Sequence, residues 1–130
     1  MTFDAKDIRP NGIRRKLYMS PVVAVETAGN YILGYFPNGA RLLKIYFLPT
    51  VAVGTAPSII DLGTASAGEE VLKDYSLTNV ASVAGTAVEI FSSAAVIRDL
   101  PLGTTLWCNS DGASTGGTGY FVIEYEDRNE

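Results

Sequence analysis

The sequence contains no histidine, and its one cysteine is Cys108. Without an imidazole there is no Ser-His-Asp or Cys-His nucleophile, no histidine base working near pH 7, and none of the commonest zinc or haem ligands. A single thiol forms neither an internal disulfide nor an iron–sulfur cluster, which excludes small disulfide-stapled scaffolds. Charge is sparse as well: 18% of residues are Asp, Glu, Lys or Arg, against about 25% in ordinary soluble domains. No apolar run is long enough to cross a bilayer, and Met1-Thr2-Phe3-Asp4 lacks the apolar core of a secretory signal. These absences predict a soluble protein made in a reducing cytoplasm, with no catalytic residue, no metal and no cofactor. Cys108, beside Trp107 in an apolar run, is expected to be a buried, inert thiol.

What is present suits a single packed domain. Hydrophobic residues make up 47% of the 130-residue chain, and a domain of this size buries about two-thirds of its unfolded surface. Alanine, glycine, serine and threonine fill more than a third of the positions, a composition fit for close strands, tight loops and covered surfaces. The net charge of −4 conceals an asymmetry. Residues 1–20 hold Lys6, Arg9, Arg14, Arg15 and Lys16 against Asp4 and Asp7, a local +3, which leaves −7 on the remainder. Residues 1–20 therefore read as an extended basic arm, and 21–130 as one β-sandwich domain. An acidic body repels phosphate, so nucleic acid is not an expected partner, and neither is a membrane.

Strand patterns fill most of that body. Apolar β-branched or alternating runs occur at 22–26, 31–36, 40–48, 57–62, 86–91, 94–100, 104–109 and 119–126, separated by Gly, Pro and Asn. Pro37-Asn38-Gly39 is strong turn chemistry, since proline presets φ and glycine accepts φ > 0. Across 40–48, Arg41, Leu43, Ile45 and Phe47 alternate with Leu42, Lys44, Tyr46 and Leu48, the mark of a central strand. Glu69 to Tyr75 is the one helical expectation, about two turns, with acids placed for a helix N-terminus. Gly-Thr-Ala recurs at 54–56, 63–65 and 85–87 without a fixed period, one turn solution used repeatedly rather than a solenoid. The whole is an all-β, antiparallel sandwich with one short helical turn.

No constellation carries evident chemistry. The polar loop from Asn109 to Gly119 has one acid, Asp111, too few for calcium, and lacks the lysine of a phosphate-binding loop; its Gly116-Gly117 reads as a flexible hairpin connection. Glu124 and Glu126 share a strand face near the acidic C-terminal end, while Asp61, Glu89 and Asp99 lie on separate strands, so no glycosidase-like pair is apparent. Tyr18, Tyr31, Tyr35 and Tyr46 suit core and sheet packing; a sugar-stacking platform, as in a carbohydrate-binding module, is the alternative.

From Pro37 to Tyr125 the pattern resembles a known family. An apolar strand leads into Pro37-Asn38-Gly39-Ala40-Arg41 and a long apolar strand, then Ile60-Asp61-Leu62-Gly63-Thr64-Ala65, Gly85-Thr86-Ala87-Val88, and a Gly/Thr-rich hairpin entering Gly119 to Tyr125. This looks like the small jelly-roll proteins that decorate or cement the capsids of tailed bacteriophages. The resemblance implies a jelly-roll-like sandwich assembled as a homotrimer, seated on the outer surface of the virion and bound to the major capsid protein, with no enzymatic activity. It also implies that an N-terminal arm contacts the shell. On charge and position, Arg9, Arg14, Arg15 and Lys16 are the candidate ion-pair partners, and Ile8, Ile13, Leu17 and Tyr18 the apolar contacts. Deleting residues 1–20 is expected to abolish docking and leave the sandwich folded. A tail or head-fibre attachment component is the alternative within the virion.

Overall fold

A computed structural model describes residues 14–78, 87–90 and 99–127. Among the described residues ten strands form in chain order: β1 (Arg14–Met19), β2 (Val23–Ala24), β3 (Gly29–Phe36), β4 (Ala40–Val51), β5 (Ser58–Gly63), β6 (Leu72–Leu77), β7 (Val88–Glu89), β8 (Asp99–Leu100), β9 (Thr104–Ser110) and β10 (Thr118–Asp127). They build two antiparallel sheets. One runs β1-β10-β4-β7, with β2 also on β10 and β8 also on β4; the other runs β3-β9-β5-β6. The pairs nest: β1 with β10, β3 with β9, β4 with β7 and β8, β5 with β6. A four-level antiparallel hairpin wound into two sheets is a jelly roll, and the expected β-sandwich is the fold observed.

Alternation explains why these segments pair face to face. In β9 the residues Thr104, Leu106, Cys108 and Ser110 are buried and those between them half-exposed; in β10 Gly119, Phe121 and Ile123 are buried. Leu33, Leu42, Ile45, Phe47, Ile60, Leu62, Phe121 and Ile123 are fully buried between the sheets. Phe47 and Phe121 stand opposite one another in register, with ring centroids 5.3 Å apart. Burying each such side chain contributes about 1.5–3 kcal/mol, which makes this interior the main source of stability. The turn after β3 behaves as its chemistry requires: Gly39 donates to the Phe36 carbonyl at 3.1 Å and adopts φ +74°.

Three local expectations are corrected. The segment from Glu69 to Tyr75 forms no helical turn; Leu72–Leu77 is β6, and no helix occurs among the described residues. Leu72, Tyr75 and Leu77 face β5 positions Leu62, Ile60 and Ser58, with a bulge that puts Asp74 at φ +53°. Helical spacing would turn that apolar set away from the core. The acids serve the preceding loop instead: Glu70 accepts from the Thr64 backbone N–H and hydroxyl, and the backbone amides of Glu70 and Thr64 hold its carboxyl below the ordinary carboxylate range.

In β4 the simple alternation fails at Leu43. Lys44 pairs with Glu124 and Leu42 with Tyr125, so Leu43 is the extra residue of a β-bulge. The bulge puts Leu42, Ile45 and Phe47 on the core side and returns Arg41, Lys44, Tyr46 and Leu48 to the outer side.

The loop at 109–119 is a bonded element, and Gly116-Gly117, read as its flexible connection, is tied in with it: the Gly116 and Gly117 carbonyls accept from Ser114 Oγ and the Glu26 amide. Ser58, Ser110 and Ser114 are buried at 0%, 2% and 8% exposure. Ser58 Oγ lies 2.8 Å from the Val25 carbonyl and 2.7 Å from Ser114 Oγ, and accepts from the Ser114 amide at 3.0 Å. Ser110 donates to Val25 O at 2.6 Å and Ser114 to Gly116 O at 2.8 Å. Asp111 Oδ1 accepts from the Ile59 and Ala113 amides. Of the 86–91 and 94–100 strand expectations, the described parts are β7 and β8; residues 86, 91 and 94–98 lie outside the described residues.

Candidate interaction surface

The predicted contact residues fall in two groups. Ile8, Arg9 and Ile13 lie outside the described residues. Arg14, Arg15, Lys16, Leu17 and Tyr18 all belong to β1, so the second half of the basic arm is a strand of the sandwich itself, paired along its length with β10. Its partner supplies the reason: β10 ends in Glu124, Glu126 and Asp127, and each basic residue of β1 pairs in register with a residue of that stretch, Arg14 with Asp127, Arg15 with Glu126 and Lys16 with Tyr125. Lys16 Nζ reaches Asp127 Oδ2 at 2.7 Å, and Arg15 Nη1 lies 3.8 Å from Glu124 Oε2. Two of the bases assigned to a shell thus already meet carboxylates of their own chain. These are exposed pairs, each contributing only a few tenths of a kcal/mol.

Strand geometry sorts the side chains of β1 between two environments. Lys16 and Tyr18 stand opposite Tyr125 and Ile123 on the core side. Tyr18 closes that edge by packing edge-on against Phe36, 6.1 Å between centroids, and Gly34 makes room for its ring; a Cβ there would sit 2.6 Å from Tyr18 Cε2. Arg15, Leu17 and Met19 project onto the outer face, with Leu17 71% and Met19 53% exposed.

The outer face is organised in rows. Arg15, Glu126, Arg41 and Asp99 stand in register across β1, β10, β4 and β8, alternating in sign, an arrangement that favours this sheet order over any slipped one. The next row, Leu17, Glu124 and Lys44, is mixed; beyond it Met19, Val122 and Tyr46 form an apolar row that ends at Glu89 on β7, and Tyr120 with Leu48 the next. A shallow depression of about 590 Å³ opens at the Leu17–Glu124 row, lined by Arg15, Lys16, Leu17, Tyr46, Val122 and Glu124. The chemistry offered is adhesion, an apolar floor with an ion-paired rim.

Other groups give less. Asp61, Glu69 and Asp74 bring carboxylate oxygens within 4.8 Å of one another and are the described residues best placed to hold a cation. Their local roles are already structural: Asp61 Oδ1 accepts from the Asp74 amide at 2.6 Å, and Lys73 Nζ lies 3.8 Å from Glu69. The four tyrosines form no shared platform. Tyr18 sits at the core edge, Tyr31 donates to the Ala24 and Thr27 carbonyls, Tyr35 stands 60% exposed on the outer side of β3, and Tyr46 lies on the opposite sheet's outer face. Cys108 is fully buried, and burial, with the Asp61 charge second, pushes its thiol up to about 12.

No protein-family model and no curated protein matches this sequence. Among solved structures it is similar to a chain of the cyanophage Pam1 capsid asymmetric unit, with a TM-score of 0.53. The two chains share a fold. The likeness covers 88% of this chain and 85% of the other, at 14% sequence identity, so it rests on strand arrangement and not on retained side chains. Sequence reasoning had located the basic run but missed that it is a strand, because Arg14-Arg15-Lys16 lacks strand propensity. The signal available was the alternation of Arg15, Leu17 and Met19 against Lys16 and Tyr18.

Proposed function

We propose that this protein is a structural subunit of a bacteriophage virion, a decoration or cement protein that binds the outer surface of the major capsid protein shell and stabilises it, without enzymatic activity. The observation that carries the reading is the fold shared, over nearly the whole chain, with a component of a phage capsid asymmetric unit. The apolar outer face of the β1-β10-β4 sheet supports it, since Leu17 and Met19 are large, exposed and adjacent to a charged rim suited to a protein partner. A homotrimer is the assembly proposed, because repeated weak contacts on a shell gain from avidity.

The test is reconstitution. Purified protein added at micromolar concentration to shells lacking it is expected to bind at regular positions, visible by electron microscopy, and to raise the shell's melting temperature. Absence of binding at that concentration refutes the proposal, and binding confined to tails or fibres replaces it with the attachment role.

A further inference from the structure

β1 ends its sheet: among the described residues nothing pairs with the side of β1 that faces away from β10. Which backbone groups lie on that side follows from one bond. Ser20 N–H donates to the Phe121 carbonyl at 2.8 Å, and Ser20 opposite Phe121 continues the register in which Met19 faces Val122. In an antiparallel ladder, hydrogen-bonded and non-bonded pairs alternate. Tyr18 and Lys16 therefore direct their N–H and C=O groups to β10, whereas Met19, Leu17 and Arg15 direct theirs outward. Those same three residues carry the exposed side chains of the outer face, so backbone donors, backbone acceptors and side chains converge on one strip of surface.

We propose that this edge accepts an added antiparallel strand from the protein on which the subunit docks, an extended segment with an acidic side chain opposite Arg15 and an apolar one opposite Met19. The inference rests on the docking function proposed above and supplies its mode. Charge complementarity identifies the occupant: β10, the strand already paired to β1, meets Arg15 with Glu126 and Met19 with Val122, and Arg15, whose side chain stays 71% exposed beside Glu124 at 3.8 Å, presents the same charge to a strand on the other side. Main-chain bonds supply affinity in such pairing and alternate side chains supply selectivity. Exposed strand edges are ordinarily blunted by charged side chains, a proline, a bulge or a very short strand; β1 has six residues, a continuous register and no proline, and its one outward charge among these three positions, Arg15, opposes a basic partner, a second copy of β1 included.

The geometry provides a specific test. Leu17→Pro removes an outward N–H and leaves the ladder to β10 intact, because the Leu17 amide takes no part in it. Leu17→Ala removes the side chain and keeps the N–H. Full-length protein, Leu17→Pro and Leu17→Ala are titrated onto shells lacking the subunit, and amide exchange is followed at Arg15, Leu17 and Met19 before and after docking. The expected result is slow exchange at these three amides only in the bound state, binding weakened about tenfold or more by Leu17→Pro beyond the loss in Leu17→Ala, and further loss in Arg15→Glu. Equal binding of Leu17→Pro and Leu17→Ala, with the wild type docking normally, overturns strand addition and leaves the docking function standing. Slow exchange in the free protein overturns it too, since a segment of this chain or a second copy then fills the edge. Failure of the wild type to bind shells overturns both.

Discussion

Replacing Ser58 by alanine tests whether the buried hydroxyls hold the loop that follows β9. Ser58 is fully buried and lies between Val25, on the chain after β2, and Ser114, in the loop. Without its hydroxyl, Val25 O still accepts from Ser110 and Ser114 Oγ still donates to Gly116 O. The Ser114 N–H, which donates to Ser58 Oγ at 3.0 Å, is left without that partner in a buried site. One buried unsatisfied donor costs about 1–3 kcal/mol, which at this chain length corresponds to a drop of roughly 4–12 °C in melting temperature. Thermal unfolding by circular dichroism measures the loss, and a double-mutant cycle separates network from cavity. Ser114→Ala should cost less in the Ser58→Ala background than in the wild type, since the two side chains act together. A Ser58→Ala protein within about 0.5 kcal/mol of the wild type, or strictly additive mutants, would refute the reasoning.

Phe47→Ala should destabilise by about 3–5 kcal/mol, as it empties the centre of the core against Phe121, read by urea unfolding with an unchanged slope. The thiol of Cys108 ionises at about 12 in the protein against 9.0 unperturbed, so between these values the native state binds more protons and stability must fall as pH rises above about 9, by up to ~1.4 kcal/mol per unit. Cys108→Ala should flatten that slope in melting temperatures measured from pH 8 to 11; a residual slope is expected from Tyr31, whose phenol is also raised, by burial first and the neighbouring Cys108 second. Iodoacetamide should label Cys108 only on unfolding. Deleting residues 1–13 should leave the melting temperature within a few degrees of the wild type, whereas deleting 1–20 strips β1 from β10 and should lower it several-fold more; equal effects would show that β1 adds nothing to the sheet.

The last contrast marks what was readable in the residues. Strands whose two faces differ in polarity, such as β9 and β10, announce themselves by alternation. β4 was visible as a strand, but Arg41 and Leu42 were grouped with the wrong faces of the residues beyond Leu43, because a bulge inserts one residue without any change in composition. The acids of 69–74 suit a helix start and a loop cap equally, and only the neighbouring β5 decides between them. For the candidate surface, the basic run and its apolar companions were legible, whereas their partners were not: Arg15 and Lys16 meet Glu124 and Asp127 across more than a hundred residues of chain, a separation no local pattern encodes.

The nested pairing also sets an order of events. The innermost pair, β5 with β6, closes a short loop, while the outermost joins Arg14 to Asp127. Contacts of such separation form slowly, because loop-closure entropy must be met before any pairing compensates for it. During synthesis β1 emerges before every other described strand and waits for β10, so among the described strands the one with the most exposed apolar side chains spends the longest time without its partner. The basic residues at its head then act as gatekeepers: Arg14, Arg15 and Lys16 disfavour pairing between two nascent copies, and the acidic end of β10 relieves that repulsion only when the correct strand arrives.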